Sequence, residues 1–307
     1  MDAVRFQGAC LYMPATHAAL PAVAVGERVP GLGAAVICFE DALDEADVDD
    51  GLAQLRALSR ERPSGLALYV RPRSVAMLEE LLAWEGHTAF AGFVLPKIGI
   101  HTVERWLRPL ASTTTRFMPI LETADIFDPF KLRDLTAILA HHATRIDAVR
   151  IGAVDLFGVL GVRRPLGRTI YDTVLGPTLR LVAAQLMAQR LPVAAPVCES
   201  LIDDHITRAE VALDVEAGFV GKTAVHPAQV VLINAAYRVK QAELDEARRV
   251  LTGPAVFAID GRMTERAPHR RWAEGIIARA ERFGVERTSA FGAPQLDLDA
   301  RTAAFGE

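Results

Sequence analysis

A chain of 307 residues with 51% apolar and 23% charged side chains, a formal net charge of −4 and a mean hydropathy of +0.20 has the balance of a soluble globular protein. That balance excludes a dedicated nucleic-acid binder, which needs a surplus of Lys and Arg gathered on one face, whereas the arginines here are spread among acids. It excludes a membrane-spanning chain too, since no apolar stretch approaches the ~20 residues that cross a bilayer.

The first ten residues carry Asp2 and Arg5 and no long apolar core, so no secretory signal is expected. Three widely spaced cysteines, Cys10, Cys38 and Cys198, without a CxxC pair, fit a reducing compartment, and a cytoplasmic location is the expectation. Eight apolar runs then follow in order: ACLYMP (9–14), AAVICFED (34–41), GLALYVRP (65–72), AGFVLPK (91–97), RFMPILET (116–123), DAVRIGAVDL (147–156), LPVAAPVCES (191–200) and GFVGKTAVHP (218–227). Most lack strict alternation, as expected of parallel strands covered on both faces. Between them lie VDDGLAQLRALSR, SVAMLEELLAWE, DPFKLRDLTAILAHH and TLRLVAAQLMAQR, with apolar residues at three- and four-residue spacing. Eight strand–helix units predict an α/β fold, a (β/α)8 TIM barrel; a doubly wound sheet is the alternative. Two more helical patterns, residues 234–251 and 269–284, flank a turn-rich segment and exceed what a barrel needs. The expected division is a barrel domain over 1–237 and a helical extension over 238–307 that serves as cap, lid or subunit contact.

Active sites of such barrels are built where the strands end, so polar residues closing apolar runs are the candidates. Nearly every run closes that way, on Glu40 and Asp41, Arg71, Lys97, Glu122, Asp155, Glu199 and His226. Most other acids between Phe39 and Asp50 read as a solvated loop and helix start. Glu122 and Asp155 end consecutive runs, so their carboxylates can converge on one hard cation with waters and substrate oxygens around it, which favours Mg²⁺. Zinc is disfavoured, because no Cys or His pair has ligand spacing. Arg71 offers a permanently charged fork to a carboxylate or a developing enolate oxygen. An oxyanion site of this kind suits aldol or Claisen cleavage.

Three features are discounted. Gly221-Lys222-Thr223 ends like a phosphate-binding loop, but the pattern requires Gly where Glu216 stands. His141 and His142 are adjacent on a helix and point about 100° apart. Cys198 has no partner base in its run and reads as core.

With these residues in hand, CFED (38–41), YVRP (69–72), FVLPK (93–97), ILET (120–123), IGAVDLFGVLG (151–161) and GFVGKTAVHPAQV (218–230) together resemble the citrate lyase β-subunit-like proteins of the HpcH/HpaI aldolase superfamily. The resemblance runs from about Leu11 to Tyr237. It implies a TIM-barrel, Mg²⁺-dependent carbon–carbon lyase, a homo-oligomer (trimer or hexamer), acting on a 3-hydroxyacyl-CoA thioester of the citryl-CoA or malyl-CoA kind through a metal-stabilised enolate. It also implies metal-ligand roles for Glu122 and Asp155 and substrate binding by Arg71. Glu40 and Asp41 take the places of an acidic pair beside the metal, and Lys97, Lys222, His226 and Gln229 occupy recurring positions. The chain departs from the family pattern in three places. His17 stands near an expected cation after the first strand, ADVDDGLAQLR lacks the lysine of CoA-using members, and Val154 replaces a common Glu. The substrate-binding set is therefore Arg71, His17 and His226, and the catalytic set Arg71, Glu40, Asp41 and Lys97. The general base stays open among Asp41, Glu199 and a residue of the extension or a neighbouring subunit. Two alternatives stand beside the thioester lyase: an aldolase for free 2-oxo acids without CoA, and a non-catalytic barrel.

Overall fold

The computed structural model describes residues 7–286 apart from 42, 61–64, 202 and 260. Eight strands, β1 (Gly8–Pro14), β2 (Ala34–Cys38), β3 (Ala67–Arg71), β4 (Gly92–Ile98), β5 (Phe117–Leu121), β6 (Val149–Ile151), β7 (Val193–Ala195) and β8 (Gly221–Ala224), pair in chain order into a closed barrel. Every pairing is parallel and β8 returns to β1, so the sheet has no edge and the doubly wound alternative falls away. Inside, Cys10, Val36, Tyr69, Val94, Met118, Ile120, Ala148 and Ala194 form one buried cluster. Side chains alternate across a strand, so stepping by two from Val36, Tyr69 and Ile120 brings Glu40, Arg71 and Glu122 to the barrel's mouth.

The outer layer holds α1 (Leu20–Ala24), α2 (Val48–Leu58), α3 (Val75–Ala83), α4 (Val103–Leu107), α5 (Pro129–Ala140), α6 (Ala153–Val159), α7 (Gly176–Ala188), α8 (Asp204–Glu216) and α9 (Pro227–Ala236). Three of these start on side chains that cap the first free N–H groups. Ser74 accepts from Met77 N–H, Asp128 from Phe130 and Lys131, and Asp203 from His205. Each long helix buries one stripe, such as Leu132, Leu135 and Leu139 on α5 and Leu179, Val182 and Leu186 on α7. At about 1.5–3 kcal/mol per buried leucine, these stripes and not helix propensity hold the layer to the strands.

The chain divides into two compact units, the barrel to Ala236 and a second from Tyr237. The second contains β9 (Val239–Lys240), α10 (Gln241–Thr252), a hairpin of β10 (Val256–Ile259) and β11 (Arg262–Glu265), α11 (Arg266–Phe283), and β12 (Val285–Glu286), which pairs with β9. Its core is Val239, Leu244, Ala247, Val250, Ala273 and Ile276, and Arg279 reaches Glu243 at 2.8 Å. The hairpin occupies the segment read from sequence only as turn-rich. Among the described residues no helix is long and apolar enough to cross a membrane.

Candidate active site

The mouth of the barrel gathers six of the strand-end residues. Arg71, the last residue of β3, is buried, and its guanidinium pairs with Glu40 and lies 3.3 Å from Glu122 Oε1. Glu122 follows β5 directly, and Asp155 lies in the first turn of α6, just after β6. From β4, the Lys97 N–H donates to Glu122 Oε1 at 2.7 Å, while Lys97 Nζ stands 3.0 Å from Glu40, 3.5 Å from Asp41 and 4.0 Å from Asp155.

Two local irregularities make this arrangement fit. The pairing of β4 with β5 slips between Leu95 and Ile98, and Lys97 takes a left-handed backbone with φ of 51°. A bulge of this kind re-aims a side chain, and a non-glycine residue held at positive φ costs about 1 kcal/mol or more, so its surroundings must fix it. They do so at both ends of the residue, since its N–H is held by Glu122 and its carbonyl accepts from Thr102 Oγ1 at 2.9 Å. The second irregularity is Gly152, where a Cβ would sit 2.1 Å from Glu122 Oε2. Only a residue without a side chain lets β6 pass this close to the carboxylate.

The electrostatics follow from crowding. Burial pushes the Glu122 carboxyl up to about 7 against the pull of Arg71, and nearby Asp155 adds to the rise. Burial also raises Glu40, which Arg71 and Lys97 oppose. For Asp41 burial acts upward, but Glu40, Lys97 and Arg71 together hold its carboxyl below the ordinary range. Burial would lower Lys97, yet Glu40, Asp41 and Asp155 keep its ammonium above the usual value, the reverse of what an imine-forming lysine requires.

Below the mouth lie two residues that sequence reading passed over. Arg150 of β6, buried in the barrel, stacks over the Tyr12 ring at 5.0 Å and donates to Thr223 Oγ1. Burial raises the Tyr12 hydroxyl above its usual range, and Arg150 and Arg71 oppose the rise. The signal for Arg150 was a charge in the middle of an apolar run, and for Gly152 a glycine next to the run's end.

The donor set fits a hard divalent cation. Glu122 Oε1 is taken by Lys97 and Arg71, while Oε2 accepts no hydrogen bond from the described residues, and the Asp155 carboxylate lies 4.0 Å from Lys97 Nζ. Arg71 Nε is buried and finds no acceptor among the described residues. Among those residues no group of three or more His, Cys, Asp or Glu is placed to hold a metal by itself. Two carboxylates plus water and substrate oxygens is the coordination Mg²⁺ accepts. A cleft of about 440 Å³ adjoins the cluster, lined by Asp41, Asp44, Glu45, Arg73, Lys97 and Trp106 among others, with Arg73 tied to Glu45 at 2.8 Å.

The remaining strand-end candidates have other surroundings. His17, exposed after β1, accepts from Ala19 N–H at 3.1 Å, and His226 after β8 accepts from Ala228 N–H at 3.2 Å. Glu199 is exposed, and Cys198 is buried. Lys222 is fully buried and bonds Glu210 at 2.8 Å and Asp214 at 2.9 Å on α8. Gln229 ties the loops after β7 and β8 through Cys198 O, Ser200 O and Val225 N–H. Of the helix-end histidines, His141 meets Ala137 O and His142 meets Arg145.

Over residues 3–285 the sequence matches the family described as C–C bond lyases of the TIM-barrel fold. A (3S)-malyl-CoA thioesterase of Cereibacter sphaeroides is 32% identical over 160 residues, half of this chain and 54% of that protein, so the chain spans about half the length of the curated relatives it matches there. The protein of that name from another strain is 28% identical over 282 residues, 87% of this chain and 92% of the other. The protein CitE of Mycobacterium tuberculosis, solved with magnesium, acetoacetate and coenzyme A, superposes with a TM-score of 0.64 at 21% identity over 90% of this chain and 99% of that one.

Proposed function

This chain belongs to the carbon–carbon bond lyases of the TIM-barrel fold, and we propose that it cleaves or forms a C–C bond next to a carbonyl, with Mg²⁺ as cofactor and a 3-hydroxyacyl-CoA thioester as substrate. The observation that carries this reading is that Glu122 and Asp155 come together at the mouth, with Glu122 Oε2 accepting no hydrogen bond and the buried Arg71 Nε finding no acceptor among the described residues.

Glu122 and Asp155 would hold the cation, which when bound polarises the carbonyl that accepts the electrons of the breaking bond. Arg71 Nε binds the carboxylate or enolate oxygen, its guanidinium fixed by Glu40 and Glu122 so that little reorganisation is needed as charge develops. Asp41, the most exposed carboxylate of the cluster, takes the hydroxyl proton. In the metal-free chain Lys97 pairs with Glu40 and Asp41. His17 and His226, on the loops after the paired strands β1 and β8, bound the mouth where the distal part of the substrate lies. The relatives that carry malyl-CoA in their name and the CitE complex with coenzyme A support the thioester.

A specific observation favours a second reading, a free 2-oxo acid. The adjoining cleft presents Asp41, Asp44 and Glu45, and its Arg73 is already tied to Glu45, an unfavourable wall for the phosphates of CoA. Assembly into a homo-oligomer, with the unit from Tyr237 serving as cap, lid or subunit contact, belongs to the same reading. A barrel kept only for assembly gains nothing from four carboxylates gathered around two cations.

Glu122→Ala tests the assignment. Turnover of malyl-CoA, and separately of oxaloacetate, should fall by roughly 100-fold or more with Mg²⁺ present while the circular dichroism spectrum is unchanged. Retained turnover in the folded variant would remove Glu122 from the site. Turnover of oxaloacetate alone by the unaltered protein selects the free-acid reading.

A further inference from the structure

Four carboxylates, Glu40, Asp41, Glu122 and Asp155, face two cations, Arg71 and Lys97, so with every carboxylate ionised the mouth would carry two negative charges in excess. The two cations differ in freedom. Arg71 is buried and clamped between Glu40 and Glu122, whereas the Lys97 side chain is half exposed and is anchored to the mouth only through its ammonium. The backbone beneath it is held independently, by Glu122 on its N–H and Thr102 on its carbonyl. The side chain can therefore leave without moving the carboxylate that its own N–H positions.

We propose that Lys97 is the resident counter-ion of this mouth, its ammonium standing among Glu40, Asp41 and Asp155 in competition with a divalent cation and giving way when that cation binds. The inference rests on the Mg²⁺ reading above and adds a role that the backbone bond to Glu122 does not supply. It explains why the chain holds a lysine in a left-handed conformation: the bulge and the positive φ bring the ammonium to the carboxylates. It also gives the site a metal affinity set by the difference between two cations and not by the carboxylates alone. Arginine or lysine tied to the ligands of a metal lowers the field that attracts it, and a unit charge this close changes a divalent binding constant by roughly tenfold or more.

Magnesium titration by calorimetry decides it, using the full chain and Mg²⁺ alone, without substrate. Lys97→Met removes the ammonium and keeps both backbone bonds, so the variant should bind Mg²⁺ roughly tenfold or more tightly, while Lys97→Arg should stay near the unaltered protein. Unaltered protein that binds no Mg²⁺ while Lys97→Met does would show an ammonium that does not give way, which overturns the proposed exchange and the Mg²⁺ reading for the native chain together. Binding by both with equal or weaker affinity in Lys97→Met overturns the counter-ion and leaves the Mg²⁺ reading standing. Binding by neither overturns both. Thermal unfolding of each variant with and without Mg²⁺ reports folding independently of turnover.

Discussion

Two clusters in the barrel unit are built from the same side chains and have opposite characters. Behind β8, Lys222 and Arg164 meet Glu210 and Asp214, two cations for two anions, and all four carboxylate oxygens are taken: Glu210 by Lys222, Arg164 and Ile170 N–H, Asp214 by Lys222 and by Tyr171 OH at 2.5 Å. At the mouth, Arg71 and Lys97 meet four carboxyl groups, and one oxygen of Glu122 accepts no hydrogen bond from the described residues. Burial acts upward on both glutamates. Lys222 and Arg164 overcome it and hold Glu210 below the ordinary range, though burial still raises Asp214 beside it, while Arg71 does not overcome it at Glu122, which goes up to about 7. A closed network that satisfies every partner is structure. A buried carboxylate left short of positive charge takes up a proton or a cation, which is the ground for the metal site proposed above.

Three experiments break or sharpen this contrast. The largest effect is expected from Lys222→Met, which leaves two carboxylates with one cation between them in a dry interior and should cost about 3–5 kcal/mol, read as a lowered midpoint in denaturant unfolding. Loss of less than about 1 kcal/mol would mean the network is not closed in the way described.

Next in size is the pH dependence of the protein free of divalent cations. The Glu122 carboxyl is raised above its unfolded value, so its contribution to stability is complete below about pH 4.5 and is lost as pH rises through about 7. Up to about 3 kcal/mol is at stake in that window. Thermal unfolding at pH 5, 6, 7 and 8 should show the decline, and Glu122→Gln should flatten it. The same protonation implies that Mg²⁺ binds more tightly as pH rises through about 7, and an affinity that falls over that range would contradict the placement of Glu122 as ligand.

The smallest effect belongs to His17→Ala. Exposed, with its ring accepting from the neighbouring Ala19 N–H, His17 should contribute within about threefold to KM and nothing to kcat. A larger loss in kcat would move the chemistry toward the loop after β1.

The eight apolar runs were legible because burial on both faces leaves a continuous hydrophobic signature, and the polar residue closing each run was legible because solvent begins where the strand ends. Arg71, Glu40, Asp41, Lys97, Glu122 and Asp155 could thus be named as a set. Their mutual contacts could not, and the hairpin over residues 256–265 was hidden inside a turn-rich stretch. Lys222 shows the limit most plainly. Its Gly-Lys-Thr setting reads as a failed phosphate loop and as a recurring family position without an assigned role, and its partners are Glu210 and Asp214 on the preceding helix, 12 and 8 residues away.

By itself the sequence determined the barrel, its order and the ring of charges at its mouth, since these follow from periodicity along the chain. Only the tertiary structure decided which charges are balanced and which are in excess. That depends on contacts between strands distant in sequence, such as Lys97 N–H on Glu122, Gly152 against Glu122 Oε2 and Lys97 Nζ beside Asp41. Charge interactions fall off over a few ångströms, so a residue's chemistry here is set by neighbours that the linear order does not reveal.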